Sequence, residues 1–336
     1  MLPIAYNDLT IGVEIEFTRL TRKEAADVVA KFFSTTVGLV QKYYDSYEIR
    51  DSINRIWRIK RDASIWPQRQ ETGVLMVGTD AYKCELVSPI LQYTDIPLLQ
   101  ELIRCLVTNG AGTNESTGLH VHIGAERFTP NSLRVLCNIF YAKQLLLNKS
   151  LQITQFRKWY CKNLPESFIM LLNKRKPKTF EQFADIWYSG TDSWINNRSE
   201  RYHITRYRIL NLHPLLRGRQ NTIEFRLFNG SLDYDAIKSY IQLSLLITAQ
   251  ALNQKKATCR ISMQETGNDK YALRVWLLKL GGIGDEFKTM RHYLIAHLNG
   301  NAAWRTPPKA SKGVSETTFE LEGQQMLELK ENPITY

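Results

Sequence analysis

The stretch TIGVEIEFTRL, residues 10–20, alternates apolar and polar side chains. Ile11, Val13, Ile15 and Phe17 share one parity, and Gly12, Glu14 and Glu16 share the other. A β-strand sends successive side chains to opposite faces. The stretch therefore reads as a strand with an apolar face and two carboxylates on its other face, about 7 Å apart at a rise of about 3.4 Å per residue. Like charges that close repel unless a cation sits between them or water screens them.

Three more segments repeat the pattern. GLHVHIG (118–124) sets His120 and His122 against Leu119, Val121 and Ile123. TIEFRLF (222–228) sets Glu224 and Arg226 against Ile223, Phe225 and Leu227. In KCELVSPI (83–90), Glu85 points opposite Leu86. An antiparallel sheet with one face on a helical core and one polar face gives this alternation. If the segments are neighbours, that polar face gathers carboxylates, histidines and an arginine. A set rich in carboxylate with a little imidazole suits Mg2+ or Mn2+ better than zinc. An arginine on the same face can clamp phosphate with its planar fork. The chemistry implied is metal-assisted phosphoryl transfer.

The rest of the chain supplies helices to cover the sheet. TRKEAADVVAKFF (21–33) is amphipathic, and Thr21 with Glu24 has the form of a capping box. Further strands are expected over 39–49, 53–61 and 74–91. A helix should run from about Asp95 to Asn109-Gly110, and a long one should follow Thr129. The strand over 221–232 ends at an Asn229-Gly230 turn signal, and a helix follows it to about residue 254. Two short helices should flank Gly281-Gly282. Residues 150–200 are aromatic and basic, helical in pieces. The expected organisation is one catalytic domain over 1–300 with an insert at about 150–205, then a weakly ordered tail or appendage over 301–336.

Composition sets the remaining bounds. The 336 residues are 43% hydrophobic and 23% charged, enough for a sizeable core. No long apolar run indicates a membrane span, and MLPIAYNDLT lacks the basic and apolar regions of a signal peptide. Cys84, Cys105, Cys137, Cys161 and Cys259 are odd in number, widely spaced and never in a CxxC pair, which fits a cytoplasmic setting. GGIGDEF lacks the lysine of a phosphate loop. The net charge of +11 favours anionic partners such as nucleotides, nucleic acid or acidic peptides.

Taken in order, IGVEIEF, RIKRDASI, ELVSPIL, GLHVHIG, YRILNL and TIEFRLFNGSLD resemble the amidoligase family of the carboxylate–amine ligase superfamily, which includes glutamine synthetase and glutamate–cysteine ligase. The resemblance covers roughly residues 10–250. It implies an α+β fold: a glutamine-synthetase-like, curved antiparallel catalytic sheet with helices on its outer face. It also implies ATP-dependent amide formation with Mg2+ or Mn2+. ATP phosphorylates a carboxylate, and an amine displaces the phosphate.

Carried over by position, Glu14, Glu16, Glu85, His122 and Glu224 match metal ligands, and Arg226 matches the phosphate-binding arginine. His120 is a further nucleotide-side contact. Asp62 and Ser64 sit in a matching D-x-S segment near substrate, with Asp62 the candidate proton acceptor. Arg208, Asn211 and Arg219 are candidate nucleotide or substrate contacts. The family often has cysteine before the histidine strand's glycine, where this chain has Thr117. The partners implied are a carboxylate and an amine, free or linked to a peptide or protein.

Two other readings remain open: a kinase-like phosphotransferase on the same fold, and a nucleic-acid-binding protein motivated by the charge and the aromatic, basic residues 150–208. A metallohydrolase built on HVH would leave the carboxylate excess and Arg226 without a role.

Overall fold

In the computed structural model, the described residues are 3–41, 45–190, 198–261 and 267–305. Ten strands form among the described residues: β1 (Ile11–Phe17), β2 (Val37–Gln41), β3 (Ser46–Arg50), β4 (Ile56–Lys60), β5 (Gln68–Glu71), β6 (Val74–Val77), β7 (Cys84–Val87), β8 (Gly118–Gly124), β9 (Leu210–Asn211) and β10 (Thr222–Asn229). Eight of them make one sheet in the order β2-β3-β4-β7-β1-β8-β10-β9, each neighbour pair antiparallel. The remaining two, β5 and β6, form a separate hairpin. The fold is therefore α+β around a large antiparallel sheet.

The apolar parity of the sheet is the core. Ile11, Val13, Ile15 and Phe17 are buried, as are Leu119, Val121 and Ile123 on β8 and Ile223 and Phe225 on β10. Helices cover this face. Helix α1 (Arg22–Phe32) lies against β3 and β4. It begins at the expected capping box: Thr21 Oγ1 accepts from Glu24 N at 3.2 Å, and Glu24 Oε2 accepts from Thr21 N at 2.8 Å. Helix α2 (Ile96–Thr108) packs on α1 and stops at Asn109, with Gly110 at φ 102°. Only glycine takes that left-handed turn without strain. Helix α3 (Pro130–Ser150) starts with proline at its first position.

Helices α4 (Glu166–Arg175), α5 (Phe180–Tyr188) and the single-turn α6 (His213–Leu216) follow. The central helix is α7 (Tyr234–Asn253), which packs on β8, α2, α3 and α9. It is apolar nearly all round because it has neighbours on several sides. Helices α8 (Asp269–Lys279) and α9 (Lys288–Ile295) flank Gly281 and Gly282.

Three sequence expectations change. Residues 39–49 are parts of two strands, β2 and β3, with 42–44 outside the described residues. Residues 74–91 hold β6 and β7, separated by a 3₁₀ turn at Asp80–Tyr82. Strand β10 ends at Asn229 and a turn leads into a helix, as expected. Gly230 N donates to Thr117 O at 2.8 Å, and the chain enters α7. Alternation also breaks within β10: Phe225 faces Val121 and Phe228 faces Leu119, so a bulge adds one residue to β10. The expected tail, 301–336, lies outside the described residues from 306 onward. Among the described residues, no helix is long and apolar enough to cross a membrane.

Candidate functional site

Antiparallel pairing decides which polar residues meet. Glu14 on β1 is the cross-strand partner of His120 on β8, and Gly12 that of His122. Across the other edge of β1, Glu16 faces Glu85 on β7. Beyond β8, His122 faces Glu224 on β10, and Glu224 faces Asn211 on β9. One sheet face thus brings together Glu14, Glu16, Glu85, His120, His122 and Glu224.

His120 lies at the centre. Its Nδ1 is 3.1 Å from Glu14 Oε2 and 3.6 Å from Glu224 Oε1, and its Nε2 is 3.8 Å from Glu16 Oε1. Among the described residues, two groups have ligand atoms close enough to share a cation: Glu14–His120–Glu224 and Glu16–Glu85–His120. His120 is common to both, and His122 is in neither. By resemblance His122 falls with the metal ligands and His120 on the nucleotide side. His122 Nε2 lies 3.4 Å from Glu14 Oε1 without hydrogen-bond geometry, and it is buried without a hydrogen-bond partner. Buried and half-buried carboxylates with an imidazole between them fit a hard divalent cation with oxygen-rich coordination.

The electrostatics are those of a site built to be neutralised. Burial, with repulsion from Glu14, Asp62 and Glu16, pushes the Glu85 carboxyl well above its ordinary range. Burial also raises Glu16, although His120 and Arg157 pull it down. Burial works on Glu14 too, but the imidazoles of His122 and His120 outweigh it and hold Glu14 well below that range. Glu224 is buried and still lowered, because Arg226 and both histidines favour its charge. Arg226 forms an ion pair with Glu224, and its Nε donates to Tyr160 O at 3.3 Å.

Other expected residues divide by position. Asp62 stands in the turn after β4, near enough to Glu16 and Glu85 to raise both. Its Oδ1 accepts from Ser64 N at 2.7 Å and Ser64 Oγ at 2.5 Å, which fixes the carboxylate. Asn211 Nδ2 donates to Glu224 Oε2 at 2.6 Å, so it acts on the cluster through Glu224. Arg208 points elsewhere: it donates to Trp187 O at 3.2 Å, and its guanidinium lies over the Trp187 and Phe168 rings. Arg219 is exposed in the turn between α6 and β10. Neither has a contact with the cluster.

The residue that sequence reading missed is Arg157. It is buried, its Nη2 donates to Arg226 O at 3.2 Å and lies 3.4 Å from His120 Nε2, and it lowers the Glu16 carboxyl. The guanidinium rests on Gly118, where an added Cβ would lie 2.4 Å from its Cζ. Gly118 N also donates to Glu16 Oε2 at 2.6 Å. Glycine opens the histidine strand because the arginine needs that space. No spacing rule in QFRKWYCKN marks Arg157, since it reaches the sheet from outside it.

The fold and this face define a class: an α+β protein whose antiparallel sheet gathers carboxylates and histidines on one face, close enough to share a cation, with an arginine beside them. The chain belongs to the family described as "putative amidoligase enzyme", whose model matches residues 7–248. The match spans every residue of the cluster. No curated protein matches the chain in sequence.

Proposed function

We propose that this protein is an ATP- and Mg2+-dependent carboxylate–amine ligase, working through an acyl phosphate on a glutamine-synthetase-like fold. The observation that carries the reading is the convergence of Glu14, Glu16, Glu85, Glu224 and His120 on one sheet face beside Arg226. Family membership supports amide formation, and the unpaired thiols of all five cysteines suit a cytoplasmic enzyme. On this reading residues 1–300 act as one catalytic unit, with an aromatic, basic insert at about 150–205.

Mg2+ or Mn2+, held by Glu14, Glu16, Glu85, Glu224 and His120, would neutralise phosphate charge as two anions approach. A substrate carboxylate oxygen attacks the γ-phosphorus of ATP, and ADP leaves with the bridging oxygen. Arg226 holds the phosphoryl oxygens through its fork. The amine lone pair then attacks the acyl carbon, and the C–O bond breaks to release phosphate. Asp62 takes the proton that the amine sheds, its carboxylate fixed by Ser64.

The test is ADP release with carboxylate and amine panels, with hydroxylamine as a trap. An acyl phosphate yields a hydroxamate, whereas a kinase-like relative making a phosphoester or phosphoguanidino product yields none. A Glu16→Ala, Glu224→Ala double variant that folds and retains full turnover would refute the ligase reading.

A further inference from the structure

Residues 151–208 hold eleven lysines and arginines against five aspartates and glutamates, a surplus of six in a chain of net charge +11. Part of this segment forms an aromatic strip next to the cluster. Trp66 meets Phe156 at 4.6 Å between ring centres, Phe156 meets Tyr160 at 5.5 Å, and Tyr160 meets Tyr207 at 5.8 Å. Cations continue it. Arg206 lies over the Tyr207 and Tyr202 rings at 5.6 and 5.0 Å, and Lys162 lies 6.0 Å from the Trp159 ring.

Two features separate this strip from ordinary surface. Three of its rings are open to solvent, Trp159 at 71% exposed, Tyr202 at 64% and Trp66 at 47%, while Phe156, Tyr160 and Tyr207 between them are half-buried. Its charges are also unspent. Among the described residues, Lys158, Lys162, Arg201 and Arg206 have no carboxylate at ion-pair distance, whereas Arg58, Arg61, Arg104 and Arg198 each have one. The strip also reaches the site, because Tyr160 O holds Arg226 and Arg157 comes from the same turn.

We propose that this strip binds a single-stranded nucleic acid and presents a group carried on it to the cluster; the second part rests on the ligase reading. Open rings accept the π-faces of unstacked bases, and unpaired cations track the phosphates. An acidic peptide would use the cations and leave the rings idle. A duplex hides the faces of its bases.

The experiment measures fluorescence anisotropy of a labelled fifteen-nucleotide oligo-dT with the full chain at two salt concentrations. Wild type is expected to bind more weakly at higher salt, and Trp159→Ala and Tyr202→Ala to bind about tenfold more weakly each. Lys158→Gln/Lys162→Gln should lower the salt slope. The charge-matched control Lys255→Gln/Lys256→Gln should match wild type in affinity. Absent binding, wild-type affinity in both ring variants, or competition by polyglutamate as effective as by oligonucleotide overturns the proposal. An equal loss in the control overturns it too. Binding of a Mg2+–ATP analogue, measured alongside, separates the two readings. If wild type takes the oligonucleotide through these rings but not the nucleotide, the ligase reading fails and the strip stands.

Discussion

Asn211 on β9 and Glu224 on β10 are cross-strand partners, and the amide of Asn211 holds the carboxylate at 2.6 Å. Asn211 Oδ1 in turn accepts from His213 N at 2.9 Å. The amide is thus fixed at both ends, and Glu224 Oε1 is left facing Arg226 and His120. Asn211→Leu should cost about 1–3 kcal/mol, the usual penalty for an abandoned buried polar group, and should weaken Mn2+ binding. Asn211→Asp should lose stability in chelator and recover much of it in Mn2+. Thermal midpoints with and without Mn2+ check both, and identical behaviour of the two variants would contradict this role.

Glu85 offers a charge-removal test. Its carboxyl is raised by burial and by the neighbouring carboxylates, so ionised Glu85 opposes folding when no cation is present. Glu85→Gln should raise the thermal midpoint in chelator by a few degrees, equivalent to roughly 1 kcal/mol in a chain of this size. The same variant should gain less from added Mg2+ than wild type does. A lower midpoint in chelator would mean that Glu85 is held by contacts outweighing the repulsion.

The imidazole of His213 predicts an acid response of its own. Burial pulls it down to about 4. Tyr188 OH lies 2.7 Å from its Nδ1, and its Nε2 lies 2.9 Å from Glu200 O. The neutral ring is thus favoured in the fold: Nε2–H donates to the carbonyl and Nδ1 accepts from the phenol. The unfolded chain binds a proton first as pH falls, near 6.5. Stability from this site is therefore complete above about pH 6.5 and is lost as pH falls toward 4. Midpoints measured across that window should fall less steeply in His213→Gln than in wild type.

Gly118 is expected to tolerate no side chain. A Cβ there would overlap the Arg157 guanidinium, which must move because the strand cannot. Gly118→Ala should cost about 1–3 kcal/mol through overpacking. Pairing with Arg157→Ala should recover part of it. A double-variant cycle on chemical unfolding reads the coupling, and full additivity would mean that the two residues do not share that space.

Much of the sheet was legible because strand parity is a local property. Glu14, Glu16, Glu85, His120, His122 and Glu224 each share a parity with other polar residues of their strand or oppose an apolar neighbour, and pairing brought them to one face. The bulge in β10 was not legible, since the position of an extra residue depends on the register that β8 imposes on β10. Arg208 illustrates the limit in the other direction. The family resemblance makes it a candidate nucleotide or substrate contact, but packing on Trp187 and Phe168 turns it away from the cluster.

The sequence by itself determined the alternation of TIGVEIEFTRL, the capping box of α1, the family, and the residue types available to hold a cation. Only tertiary structure decided that His120 is shared by the two carboxylate groups, that Asn211 serves Glu224, and that Arg157 lies on Gly118. The physical reason is range. Parity and capping involve residues a few positions apart. His120 takes its place through pairing with a strand more than a hundred residues earlier, and Arg157 through a glycine that leaves it room.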